Sequence, residues 1–218
     1  MGQNRMKFAL ANNGNESERN NGKRPPGRPR SEHSRRAILR STLKLLRREG
    51  GFPDLSIEAI ASDANVSKAT VYRWWPNKAA LVADAFTASA EDELQFPDTG
   101  SLRSDISLQM RRVIRVFRSE RGKVVAALLG GGQSDPELID AFRERFLWPR
   151  RRQAYKTLQR GVDRGELPRG SNFDLILDSL YGPIYMRFLI RHDELTEDFA
   201  EKVCGIVLSG CNGRSSQR

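Results

Sequence analysis

Residues 55–78, LSIEAIASDANVSKATVYRWWPNK, restrict the folds open to this chain more than any other stretch. Ser56, Ser67 and Asn77 are residue types that accept hydrogen bonds from the free N–H groups at a helix start. They divide the stretch into short helices, Ile57 to Ala64 and Lys68 to Trp75, with a longer one following from Lys78 to about Gln95. Pro76 ends the second, because the residue before a proline is driven out of the α region. Helices of two turns are not stable alone and must share a core. Ile57, Ile60, Ala61, Val66, Val71 and Trp75 can all face one. Two short capped helices joined at Asn65-Val66 make the pattern of a helix-turn-helix, whose second helix enters the DNA major groove.

Helical periodicity continues on both sides. Ile38, Leu39, Leu43, Leu45 and Leu46 fit one face of a helix from about Glu32 to Glu49, stopped by Gly50-Gly51 and Pro53. Phe96-Pro97-Asp98-Thr99-Gly100 is a breaker cluster and a candidate domain hinge. Beyond it helices are expected near 101–120, 122–131, 135–164 (bent at Pro149), 172–191 and 196–210, with a kink at Gly182-Pro183. No useful period-two segment occurs, so the expected fold is all-α.

Charge points to a polyanion. The 218 residues carry a formal net charge of +10, and cations near phosphates release condensed counterions. Lys68 and Arg73 can reach guanine or phosphate, Thr70 a thymine methyl or a phosphate, and Tyr72 a phosphate oxygen. Ser67 and Trp74 also lie opposite the apolar face, and Lys78 sits at a helix start that attracts phosphate.

Residues 35–86 resemble the DNA-binding domain of the TetR family of regulators. The likeness is carried by Gly50 before Phe52, by Ser56, Ile57, Ile60 and Ala61, and by Asn65-Val66-Ser67. Thr70-Val71-Tyr72 with Trp75, Asn77, Lys78 and Leu81 completes it. The resemblance implies a homodimer on a palindromic operator in double-stranded DNA, and a C-terminal helical domain that dimerises and binds a small-molecule inducer. It also implies DNA contacts at Lys68, Ala69, Thr70, Tyr72, Arg73, Trp74 and Lys78, with Ile57 near the DNA backbone and Trp75 in the core. Trp74 has two readings, stacking on sugar-phosphate or lying over the domain surface.

Residues 23–30, KRPPGRPR, resemble the AT-hook. Its prolines hold an extended chain, Gly27 allows close approach, and Arg28 and Arg30 suit the negative potential of a narrow minor groove. The first 36 residues carry nine Lys/Arg against three Asp/Glu. The expected organisation is a disordered basic arm (1–30), the helix-turn-helix domain with its linker helix (31–95), a helical ligand-binding and dimerisation domain (96–212) and a tail (213–218).

The C-terminal half resembles TetR-type C-terminal domains at Gly165-Glu166-Leu167-Pro168, Leu180-Tyr181-Gly182-Pro183 and Leu195-Thr196. Apolar stripes through Ile176, Leu180, Ile184 and Phe188, and through Phe199, Val203, Ile206 and Val207, are candidates for a dimer interface. Met110, Ile114, Phe117, Leu128, Phe142, Phe146, Tyr181 and Tyr185 are candidate pocket walls. Arg150-Arg151-Arg152 can be a solvated face or part of an acidic-ligand site, and a charge run favours the first.

His33 and His192 stand apart from any nucleophile or carboxylate arrangement, and Gly130-Gly131-Gly132 lacks the context of a phosphate loop. Cys204 and Cys211 are too far apart on one helix to pair. No enzyme activity, cofactor, metal site or membrane segment is therefore expected, and two reduced cysteines suit the cytoplasm. The expected function is ligand-released repression of transcription. An architectural protein that follows A·T content through its arm, without ligand control, is the alternative.

Overall fold

In a computed structural model of the protein, residues 28–48 and 52–212 are described. The arm up to Gly27 and the tail lie outside them, as do the side chains of Arg28 and Arg30. Ten α-helices follow one another among the described residues, which contain no strand: α1 (Arg28–Arg48), α2 (Ile57–Asp63), α3 (Lys68–Trp74), α4 (Lys78–Ala90), α5 (Leu102–Arg118), α6 (Glu120–Gly131), α7 (Pro136–Phe142), α8 (Trp148–Asp163), α9 (Phe173–Ile190) and α10 (Glu197–Asn212). The all-α expectation is met. Helix α1 begins four residues before Glu32, so Arg28, Pro29 and Arg30 are helical and not part of the extended arm expected over 1–30; Pro29 is tolerated because a first helical turn needs no N–H from it.

Local chemistry sets the N-terminal boundaries. Ser56 Oγ accepts from the Ala59 amide at 3.0 Å, Ser67 Oγ from Thr70 at 3.2 Å, and Asn77 Oδ1 from Ala80 at 2.8 Å. Asn65 closes α2 in the left-handed region (φ 53°), so that the Val66 amide returns to the Ala61 carbonyl at 2.9 Å. Ile38, Ile60, Val71, Trp75 and Leu81 are buried together, which packs α1, α2 and α3 against the start of α4.

The C-terminal half is held by less local devices. Helices α7 and α8 are joined by a π-helical turn, Arg143–Leu147, in which the Trp148 amide bonds back to the Arg143 carbonyl. Pro149 accounts for it: with no N–H and a ring that crowds the carbonyl four residues earlier, it denies Arg145 its α-helical bond. The Thr87 hydroxyl on α4 faces that carbonyl at 3.3 Å, sharing its proton with the nearer Ala83 carbonyl at 2.8 Å. The bend expected at Pro149 is thus a widened turn just before it. The Gly-Glu-Leu-Pro stretch has an equally specific role. Gly165 takes φ +77° after α8, Leu167 is buried, and the Glu166 carboxylate accepts from the Leu102 amide at 2.7 Å, capping α5 from across the domain. Pro183 lies inside α9, which runs through it.

Candidate nucleic-acid interface and cavity

Helix α3 presents a polar face beside its buried Val71. Ser67, Lys68, Ala69, Tyr72 and Arg73 are exposed, and Thr70 is half-buried with its hydroxyl 3.0 Å from that of Ser67. Tyr72 is 53% exposed, so its ring and hydroxyl are open to a partner on this face. Arg73 has no ion pair or side-chain hydrogen bond among the described residues. Lys68 donates to Glu58 at 2.9 Å, and this contact holds the carboxyl below and the ammonium above their usual ranges. Both groups are solvent-exposed, so the pair stores little energy against a phosphate.

Three expected contacts sit differently. The Ile57 side chain is buried in the core, leaving its backbone amide as the part able to meet DNA. The Lys78 ammonium donates to the carbonyls of Phe52 (2.9 Å), Leu55 (2.9 Å) and Pro53 (3.4 Å) and lies 4.4 Å from the centre of the Phe52 ring. Those bonds pin the chain between α1 and α2, so the side chain is a brace and not an open phosphate ligand. Trp74 lies over the domain surface, half-buried against Trp75, with the Arg35 guanidinium 6.0 Å from both rings. Trp75 is in the core.

A cavity of about 450 Å³ opens in the C-terminal half, between α5, α6, α7, the π turn, α8 and α9. Phe117, Phe142, Phe146, Tyr181 and Tyr185 line it as expected. Met110, Ile114 and Leu128 do not: all three are fully buried core residues. On α5 the wall is Phe117 with Gln109 and Val113, each of the latter one residue before the expected Met110 and Ile114. Gln109, which is buried, accepts the Tyr181 hydroxyl, and burial pushes the Tyr181 and Tyr185 phenols up, so both remain uncharged donors. The arginine run is split. Arg152 is exposed, while Arg150 and Arg151 line the cavity. The polar wall residues Gln109, Arg143 and Asp178 are not among the expected ones, all of which are aliphatic, Met or aromatic.

Comparisons with known proteins match this architecture in two parts. Residues 38–85 match the model of bacterial regulatory proteins of the tetR family, and residues 96–207 that of the tetracyclin repressor-like C-terminal domain. Over 190 residues the chain is 40% identical to YdeS of Bacillus subtilis (strain 168), described as an HTH-type transcriptional regulator, covering 87% of this chain and 96% of that protein. The chain belongs to the TetR family. It is therefore a DNA-binding transcriptional regulator of the helix-turn-helix type. It is also 34% identical over 140 residues to a DNA-binding transcriptional repressor, TetR, of Mycobacteroides abscessus, covering 63% of this chain and 72% of that one. The crystal structure of the TetR family transcription regulator SCO0332 superposes with a TM-score of 0.73 at 32% identity, covering 82% of this chain and 98% of that one.

The two halves of this TetR-family chain meet along α4, which packs against α1 on one side and against α6, α7 and the π turn on the other. Trp75, at the end of the recognition helix, donates its indole N–H to Asp84 Oδ2 at 2.8 Å, and Arg145 of the π turn donates to the same oxygen at 2.9 Å. Asn77 adds a bond to Glu137 on α7 at 3.1 Å. On α9 and α10 the exposed apolar residues are Leu175, Met186, Leu189, Ile190 and Ile206. Of the stripes expected at a dimer interface, Ile176, Leu180, Ile184 and Val203 are buried within the protomer; Phe188, Phe199 and Val207 are partly buried, and Ile206 is open. No helix among the described residues is long and apolar enough to cross a membrane.

Proposed function

We propose that this chain represses transcription in the cytoplasm as a homodimer on an inverted-repeat operator, and that a small molecule in the cavity releases it. In this reading Lys68, Ala69, Thr70, Tyr72 and Arg73 meet base edges and phosphates in the major groove, and Ser67 caps the helix that carries them. The backbone amides at the starts of α2 and α4, including those of Ile57 and Lys78, face phosphates. The basic arm before α1 reaches the flanking minor groove, with Arg28 and Arg30 of the first turn of α1 at its root. A second protomer covers Leu175, Met186, Leu189, Ile190 and Ile206.

The observation that carries ligand control is the shared oxygen of Asp84. Phe146, beside Arg145 in the π turn, is a wall of the cavity, and Trp75 closes the recognition helix. A ligand that moves the π turn pulls on Asp84, tilts α4, and changes the separation of the two recognition helices. A dimer with altered spacing cannot engage both half-sites, so affinity falls. Sequencing genomic fragments recovered on the purified protein tests the reading. The expected result is an inverted repeat with fixed spacing. Enrichment that follows A·T content alone would contradict it and favour an architectural role carried by the arm.

A further inference from the structure

Resting on the reading of the cavity as a ligand site, we propose that its ligand is an apolar organic anion whose acidic group is received by Arg150. Apolar side chains make up most of the wall, and three of its polar groups, Arg150, Gln109 and Tyr181, are linked beside the turn that follows α4. There the Leu94 carbonyl accepts both Arg150 Nη1 at 3.0 Å and the Gln109 amide at 3.5 Å, while Gln109 also holds the Tyr181 hydroxyl.

Three cations line the cavity, and two are already neutralised. Arg143 pairs with Asp140, and Arg151 with Asp174 and Asp178. Arg150 donates only to uncharged acceptors: the carbonyls of Leu94 and, at 3.5 Å, Glu91, and the Gln153 amide oxygen at 3.1 Å. No carboxylate lies within ion-pairing distance of it among the described residues. It is half-buried, and burial draws its pKa down although the Glu91 carboxylate, beyond ion-pairing distance, offsets part of that effect. A neutral ligand leaves the cost of burial in place and a cation worsens it. A carboxylate, sulfonate or phosphate relieves it through the charge-assisted fork that a guanidinium offers.

The acceptors that Arg150 now holds give the choice of ligand a consequence. Glu91 caps the C-terminal end of α4, and Leu94 closes the turn after it through an amide bond to Ala90 at 2.9 Å. An acidic group that draws the guanidinium off these carbonyls loosens the end of the helix whose other end follows the recognition helix. Anion binding and DNA release then become one event.

The test uses two fluorescent probes on the full-length protein: anilinonaphthalene sulfonate, and phenylnaphthylamine, a neutral aromatic amine of the same kind. Each is titrated into wild type, Arg150→Gln, Arg150→Lys and the exposed control Arg152→Gln. Arg150→Gln is expected to weaken the sulfonate about tenfold or more and to leave the neutral probe within about twofold. Arg150→Lys recovers part of the loss, and Arg152→Gln follows wild type. Equal losses of both probes in Arg150→Gln would make Arg150 a structural brace and overturn the proposal. Unchanged sulfonate affinity would overturn it too, while neutral-probe binding would leave the cavity as a ligand site. Failure of both probes to bind wild type would overturn both readings.

Discussion

Lys78 separates what a residue's type suggests from what its neighbours make of it. As a lysine at a helix start it reads as a phosphate ligand, yet its ammonium is spent on carbonyls 23 to 26 residues upstream. Nothing local in the sequence announces those partners. The caps at Ser56, Ser67 and Asn77 are legible because donor and acceptor lie three residues apart. The same holds for Trp75: its burial follows from position, but its hydrogen bond to Asp84 depends on how α4 packs. Lys78→Met is expected to cost roughly 1–3 kcal/mol of stability in urea unfolding, because it leaves carbonyls of the α1–α2 connection without their donor. DNA affinity should fall only as far as that loosening accounts for. Unchanged stability with a large loss of DNA binding would make the ammonium a direct phosphate contact instead.

At the scale of the element, the sequence shows helices more clearly than it shows their faces. Helix α5 has apolar residues on adjacent stripes, so Met110 and Ile114 are as plausible a wall as Val113 and Phe117 until neighbours are placed. Helix α9 is apolar nearly all round, and a 3.6-residue period cannot say which side closes the protomer. Pro149 marks a disturbance in the α7–α8 run, but the Thr87 hydroxyl that faces the π turn comes from α4, some 58 residues earlier. That turn carries the coupling proposed above. For wild type, the sulfonate probe should bind operator-bound protein about fivefold or more weakly than free protein, the usual range of such coupling. Arg145→Met keeps an apolar stem in the π turn but removes the bond to Asp84. The ratio of the two affinities should then fall towards one while the probe still binds free protein. A ratio equal to that of wild type would show that coupling bypasses Asp84.

For the whole molecule, charge and symmetry work together. The net charge of +10 supplies attraction to any DNA, and salt weakens that part of binding regardless of sequence. In the proposed dimer, selectivity comes from two recognition helices held at one spacing. The surface suited to hold them is the exposed apolar face of α9 and α10, where Ile190 is 66% and Ile206 74% exposed. Side chains of that kind, clustered on two neighbouring helices, call for a covering partner. Both halves of the fold are legible in the sequence through periodicity and breakers. Their mutual placement is not, because it rests on contacts such as Asp84–Arg145 and Glu166–Leu102 between residues some 61 to 64 positions apart.

A dimer that reads two half-sites at a fixed separation is tested most directly by changing that separation. Binding would be compared between a duplex carrying the recovered inverted repeat and the same duplex with about five base pairs, roughly half a helical turn, inserted between the half-sites. The expected result is a fall to the affinity of a single half-site, because the second recognition helix then meets the wrong side of the DNA. Equal affinity for both duplexes would contradict a rigid dimeric reader.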